Sequence, residues 1–273
     1  MESSPPPKSI SVMATGAALR EVQLLIFSIR MLYNSPIYVV CDDTVYTKLK
    51  RLGFLWLHLK AAANPEDLKV AAAKTKDVVA HNDFHSAGAI WTKIGAMEWA
   101  LAEEGETLFL DADIVFNNTI HEDIVLNVDA IVSPHYHTGD TFRDSQKYGV
   151  FNAGYVFARH PDFTKVWKDI YLNRSTFYEQ QGMIWLFEHF DMGIFNKNHN
   201  IGFWRFTKDW RGRKLSLGSR GINWGEAKSF HFHAFPETYT RANKGLTRGY
   251  NLLKEEMVGR INPDLKRIYN DLL

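Results

Sequence analysis

The sequence predicts a single-domain α/β fold, a mixed and mostly parallel sheet flanked by helices, Rossmann-like in its first half. Three observations carry this. Continuous apolar runs at 37–41 and 107–110 have the length and character of strands buried on both faces. Stretches with a helical period separate the early runs, an alternation that implies parallel strands joined by right-handed crossovers. Small or acidic residues stand where these runs end, and open α/β sheets hold their ligands there.

In chain order, residues 9–15 (SISVMAT) read as the first strand and end in Thr15-Gly16, where glycine permits a tight turn. A helix over 17–33 places Leu19, Val22, Leu25, Ile26, Ile29 and Leu32 on one face, and Pro36 closes the unit. Residues 37–41 form the second strand, ending in Asp42-Asp43. A short helix through Leu49 leads to a third strand at 54–58. No G-x-G-x-x-G follows the first strand, so a mononucleotide-type half is expected rather than a dinucleotide site. Residues 61–86 are rich in Ala and Lys and fit a short helix or a mobile loop equally. A helix over 86–103, stopped by Gly105, carries Lys93 in its first half and feeds the stretch 107–116, TLFLDADIVF.

Beyond it, 129–133 reads as a short strand, and His135 and His137 open a polar loop that runs to Lys147. The strand at 150–158 is interrupted by Asn152-Ala153-Gly154, a trio that marks a bulge or a close approach of backbone. Helices are expected from Pro161 to Leu172 and over 177–190, the second with Glu179, Gln180 and Gln181 at its start. Residues 193–228 read as loops in which Arg205, Lys208, Arg211, Arg213, Lys214 and Arg220 surround three glycines. That composition suits a cover over a diphosphate or an ordinary solvated surface. Residues 229–235, SFHFHAF, alternate as a strand with His231 and His233 on one face. The remainder, 241–273, is an amphipathic helical cover broken at Pro263.

Lys+Arg 32 against Asp+Glu 31 leaves a net charge of +1, which offers no global field for nucleic acid or a membrane surface. The lone Cys41 has no internal disulfide partner, which suits a reducing, cytoplasmic setting. The apolar run at 22–32 is broken by Ser28 and Arg30 and is too short to span a bilayer, so no transmembrane segment is expected. Residues 1–8, polar and Pro-rich, read as a disordered terminus.

The chemistry concentrates at Asp111 and Asp113. A buried, unpaired carboxylate is costly, so both acids belong at the carboxyl end of their strand, outside the core. The strand period puts them on one face with the small Ala112 between. Adjacent carboxylates repel unless a cation separates them, and Mg²⁺ or Mn²⁺ is commonly held by one or two carboxylates plus substrate phosphates. A bare Asp-x-Asp occurs in many solvated loops; the buried strand ahead of this one sets it apart.

Four elements in order resemble the GT-A class of nucleotide-sugar-dependent glycosyltransferases, in particular the glycogenin-like and related families. They are the N-terminal βαβ half, the helix with Lys93 feeding Leu110-Asp111-Ala112-Asp113, the Phe151-Asn152-Ala153-Gly154 strand and the late His231-Phe232. The likeness spans residues 9–240, with 9–116 as a nucleotide-binding half and 117–240 as a sugar and acceptor half. It implies a hexosyltransferase-like enzyme that moves a sugar from a nucleotide-diphosphate donor, a UDP-sugar first, to a saccharide, glycan, lipid or protein acceptor with retention. It implies Mn²⁺ or Mg²⁺ on Asp111, Asp113 and His231, with His233 as the alternate. Donor contacts fall to Thr15, Gly16, Asp42, Lys93, Asp111, Ala112, Gly154 and Gln180, and catalytic roles to Asn152, Glu179 and Gln181. Two departures stand out. Glu179-Gln180-Gln181 replaces the usual Asp-Gln, and Ala234-Phe235-Pro236-Glu237 replaces a Gly followed by Lys-Pro-Trp, leaving the phosphate-binding lysine unassigned.

Two alternatives stay open at this level. Leu110-Asp111-Ala112-Asp113-Ile114-Val115 also fits the haloacid-dehalogenase phosphatase signature, with Asp111 as nucleophile, Asp113 as acid/base and Ser133 in a second motif. That signature normally begins its domain, whereas two βα units precede it here. A non-catalytic sugar-nucleotide or carbohydrate-binding module would bind without turnover.

Overall fold

The computed structural model describes residues 5–53, 57–61, 87–124, 127–136, 149–175, 179–206, 223–235 and 247–273. Strands β1 (Ile10–Ala14), β2 (Ile37–Cys41) and β3 (Leu57–Ala61) are parallel neighbours, and β4 (Thr107–Asp111) pairs in parallel on the other side of β1. β7 (Phe151–Ala158) runs antiparallel to β4 and to β6 (Ala130–Pro134), and β8 (Met192–Ile194) closes the edge parallel to β6. The seven strands lie in the order β3-β2-β1-β4-β7-β6-β8.

Side-chain alternation divides β4 between two cores. Leu108 and Leu110 pack with Val22, Leu25 and Ile29 of α1 (Leu19–Arg30), while Phe109 packs with Ile94 and Met97 of α3 (Ala87–Glu104) and Trp167 of α4 (Phe163–Asn173). Each such side chain contributes about 1.5–3 kcal/mol on full burial, so β4 is anchored from both faces and its carboxyl end is held firmly. Between β2 and β3, α2 (Asp43–Leu52) begins at Asp42, whose carboxylate accepts from Val45 N–H at 3.0 Å, a cap worth about 1 kcal/mol.

A second, three-stranded sheet sits beyond the acids: β5 (Ile114–Phe116), β10 (Ser229–His231) and β9 (Ile201–Gly202). Phe230 of β10 packs with Leu253 and Met257 of α5 (Thr247–Arg260) and Leu265 and Tyr269 of α6 (Pro263–Leu272). Asn262 caps α6 through Asp264 N–H, and Pro263 occupies its first turn.

Several expectations shift. Among the described residues the third strand covers 57–61 against an expected 54–58, and α2 continues to Leu52 and stops on the left-handed Gly53. The helix expected over 177–190 is, among the described residues, a 3₁₀ run at Gln181–Glu188. Gly182 there is pressed so close that a Cβ would lie 2.5 Å from Ser175 Oγ, so the winding answers its neighbours. The stretch 107–116 is two strands in two sheets, and the strand expected over 229–235 ends at His231. Residues 193–228 include β9 and 3₁₀ turns at Phe203–Phe206 and Trp224–Glu226. The readings of 62–86, His137, Lys208, Arg211, Arg213, Lys214 and Arg220 lie outside the described residues.

Candidate active site

Parallel register sets Met13 of β1 opposite Asp111 of β4, so Thr15-Gly16 and Asp111 leave the sheet at the same edge. The chain then turns through Ala112, which points into the core, and Asp113 before entering β5. The two acids therefore converge through a turn, not through the pleat of one strand. β10 runs antiparallel to β5 with His231 opposite Ile114, and Phe232 N–H donates to Asp113 C=O at 3.0 Å. That pairing carries both histidines to the acids. His231 Nε2 lies 3.1 Å from Asp113 Oδ1 and 3.8 Å from Asp111 Oδ2. One ligand atom from each of Asp111, Asp113 and His231 lies within 4.8 Å of the others.

Gly154 makes room for this. A Cβ on it would fall 2.0 Å from Asp111 Oδ2 and 2.9 Å from His231 Cε1. The bulge expected at the Asn152-Ala153-Gly154 trio is visible as a register shift, Val132 pairing with Val156 but Ser133 with Asn152.

Lys93 is buried, with its ammonium 2.9 Å from Asp111 Oδ1 and 3.0 Å from Glu179 Oε1. Burial pulls its pKa down, but the two carboxylates outweigh burial and hold it above the ordinary lysine range, so it stays charged. Removing one partner of a buried pair of this kind costs about 3–5 kcal/mol. Lys93 and Glu179 thus meet each other inside the protein.

Burial likewise opposes the charge on Asp113, yet His231 first and His233 after it hold its carboxyl well below the usual range. His233 Nδ1 sits 3.4 Å from Asp113 Oδ2 and 3.3 Å from Glu21 Oε1. Burial works against its charge too, but the Glu21 hydrogen bond and the Asp113 field push its pKa up to about 9. Glu21 also accepts from Ala234 N–H at 3.1 Å. His231 Nδ1 meets Asn200 Oδ1 at 2.8 Å, and the Trp204 ring stands edge-to-face against His231 at 5.1 Å. Glu21, Asn200 and Trp204 escaped the sequence reading. The one local signal was a carboxylate, Glu21, inside an apolar helical stripe.

The remaining residues are placed as follows. Asp42 holds both its α2 cap and Gly16 N–H (2.6 Å), joining the ends of β1 and β2. Thr15 is exposed at the same edge. Asn152 is buried, and its Oδ1 accepts from Gly154 N–H (3.0 Å) and Asn200 Nδ2 (3.2 Å). Gln180 and Gln181 follow Glu179 and back onto Gly149, whose Cβ would fall 2.6 Å from Gln180 C=O. Arg205 is buried, donating to the carbonyls of Lys197, His199 and Asn200 beneath Tyr136, so it braces a loop rather than facing a diphosphate.

By sequence, no protein-family model and no curated protein matches the chain. By structure the matches are extensive. Mouse xyloside xylosyltransferase 1, in its apo form, superposes with a TM-score of 0.51 at 14% identity, covering 85% of this chain and 99% of that one. The galactosyltransferase LgtC, in complex with donor and acceptor sugar analogues, gives 0.56 at 14% identity over 93% of this chain and 100% of its own. The bifunctional glycosyltransferase WbbM gives 0.56 at 14% identity over 99% of this chain and 52% of its own. The fold is that of the GT-A glycosyltransferases. Within this fold Asp111 stands after two βα units, and its Oδ1 is held by Lys93. No helix among the described residues is long and apolar enough to cross a membrane.

Proposed function

We propose that this chain is a metal-dependent glycosyltransferase that moves a sugar from a nucleotide-diphosphate donor, a UDP-sugar first, to a saccharide, glycan, lipid or protein acceptor. The carrying observation is the convergence of Asp111, Asp113 and His231 at the ligand-binding edge of a GT-A fold. Fold alone does not give function, so the argument rests on the chemistry of this cluster.

The donor set fits a hard divalent cation, Mn²⁺ or Mg²⁺: two carboxylates, an imidazole and no thiol. Both nitrogens of His231 face oxygens, Asn200 Oδ1 on one side and Asp113 Oδ1 on the other. A neutral imidazole has one N–H and leaves one of these contacts unmatched, which a cation at Nε2 corrects. Charge gives the same answer. With Glu21, Asp111, Asp113 and Glu179 ionised, Lys93 and a charged His233 balance two of the four carboxylates. A bound cation would supply Lewis-acid stabilisation of the charge that grows on a departing diphosphate.

The chain's own residues do the rest. Lys93 turns Asp111 so that Oδ1 is occupied and Oδ2 faces His231. We assign Thr15, Gly16 and Asp42, at the ends of β1 and β2, to the base and ribose, and Ala112, Gly154 and Gln180 to the donor's diphosphate-sugar. Asn152 and Gln181 orient sugar and acceptor, a contribution from positioning, with Glu179 acting through Lys93. Glu21 and Glu179 are committed to His233 and Lys93, so neither serves as a general base in this reading, and transfer with retention is proposed on the resemblance. Residues 9–116 serve as the nucleotide half and 117–240 as the sugar and acceptor half, with 241–273 as a cover.

The test is release of UDP from a panel of UDP-sugars with and without Mn²⁺, in wild type and Asp113→Asn. Wild type should hydrolyse one donor slowly and Mn²⁺-dependently. Asp113→Asn should lose Mn²⁺-dependent UDP binding and turnover while remaining folded. Undiminished binding in the variant would refute the metal assignment.

A further inference from the structure

Building on the metal assignment above, we propose that Asn200 is a positioning residue that decides which nitrogen of His231 meets the cation. Asn200 is fully buried and has left-handed backbone, φ 49°, a region in which Asn is enriched among non-glycine residues. Its backbone N–H donates to Ser229 Oγ at 2.9 Å. Its amide nitrogen donates to Ser133 Oγ and to Asn152 Oδ1, each at 3.2 Å. Asn152 Oδ1 also accepts Gly154 N–H, so the Asn152 amide is itself fixed in orientation. With its nitrogen so placed, the Asn200 amide turns its oxygen to His231 Nδ1 at 2.8 Å.

Nδ1 then carries the proton, and the lone pair of the neutral ring stands at Nε2, toward Asp111 and Asp113. Ser133 on β6, Asn152 and Gly154 on β7 and Asn200 before β9 thus act through one ring. A histidine ligand whose other N–H is held this way is oriented and made more basic, and loss of such a partner typically costs ten- to a hundredfold in metal affinity.

Two variants separate the acceptor role from simple packing. Asn200→Gly suits the left-handed backbone and removes the amide; Asn200→Asp keeps an oxygen for Nδ1–H. Mn²⁺ affinity with UDP present, read by electron paramagnetic resonance titration, should fall about ten- to a hundredfold in Asn200→Gly. Asn200→Asp, which keeps the oxygen but not the amide donor, should lose less than Asn200→Gly. A second readout needs neither cation nor turnover. With ¹⁵N-labelled histidine, and the ring of residue 231 assigned through His231→Gln, wild type should carry a slowly exchanging proton on Nδ1. That exchange should quicken in Asn200→Gly. Equal Mn²⁺ affinity in wild type and Asn200→Gly, or a wild-type ring protonated on Nε2 alone, overturns the proposal. A wild type that binds no Mn²⁺ overturns the metal assignment instead, and the ring readout then decides the role of Asn200. Should Asn200→Gly fail to fold, Ser133→Ala loosens the same amide, and unchanged affinity and exchange there count against the proposal.

Discussion

Two clusters in this protein use the same residue types, and only one has the makings of a reactive site. Around His199, Asp123 and Lys228, a buried histidine meets a carboxylate and a lysine; around His231, Asp111, Asp113 and Lys93 do the same. The difference is in donor and acceptor accounting. His199 Nδ1 lies 3.1 Å from the Tyr155 hydroxyl, which can donate, and Nε2 faces Asp123 Oδ2 at 3.1 Å. A neutral ring protonated on Nε2 thus has a hydroxyl before one nitrogen and a carboxylate before the other, and is matched in polarity. The Nε2–Asp123 contact is close without being a hydrogen bond, and its attraction is electrostatic. His231 has an oxygen acceptor at both nitrogens and a second carboxylate 3.8 Å away. With the His231 ring neutral, one of its two oxygen neighbours goes without a proton, and a cation at Nε2 would fill that place.

The largest expected effect comes from closing the space that the reactive cluster depends on. Gly154→Ala places a methyl 2.0 Å from Asp111 Oδ2 and 2.9 Å from His231 Cε1, so both candidate ligands must move. Overpacking of this kind costs about 1–3 kcal/mol. Mn²⁺-dependent UDP binding should vanish, and the denaturant midpoint should fall. Retention of both would mean that Asp111 and His231 have freedom to give way, and the contrast between the clusters would weaken.

Next in size is the pair of histidines. They reach opposite oxygens of Asp113, His231 at Oδ1 and His233 at Oδ2, and Glu21 shares the second. His231→Ala removes a ligand and should weaken Mn²⁺ binding strongly in calorimetric titration. His233→Ala should weaken it about tenfold, as a partner of a ligand does. The reverse order would make His233 the ligand and shift the assignment by two residues.

How much of this was readable in advance follows from what is local. The strands around β4 were legible because burying both faces forces an unbroken apolar run, and Asp111 and Asp113 because carboxylates resist such burial. Gly154 was legible only as a weak spot in a strand; that Asp111 fills the missing side chain's space is a tertiary fact. Asn200 meets His231 across 31 residues and Glu21 meets Ala234 across 213, distances over which spacing says nothing. Composition misread Arg205, since a guanidinium that caps buried carbonyls looks in sequence like one that faces solvent. It also gave no sign of the two carboxylate partners of Lys93, which come from β4 and from the segment before Gln181.

The smallest effect concerns the matched cluster and is read in acid. Burial holds the pKa of His199 below its ordinary value, outweighing the pull of Asp123 in the other direction. In the unfolded chain the same ring takes up a proton near its usual pKa of about 6.5. The unfolded state therefore binds more protons once pH drops below that value, and stability falls with it. The contribution is intact above about pH 6.5 and declines by up to about 1.4 kcal/mol for each pH unit in which only the unfolded ring is protonated. Asp123, held below the usual carboxylate range by the His199 contact, adds a loss of the same sign at lower pH. Melting temperatures of wild type and His199→Gln, followed from about pH 7.5 to 5, isolate the ring because the other histidines are common to both. Wild type should lose stability more steeply below about pH 6.5, while the variant, lower throughout, follows a flatter course. Parallel curves would mean that His199 titrates alike folded and unfolded, and the cluster taken here as matched would be no more settled than the one around His231.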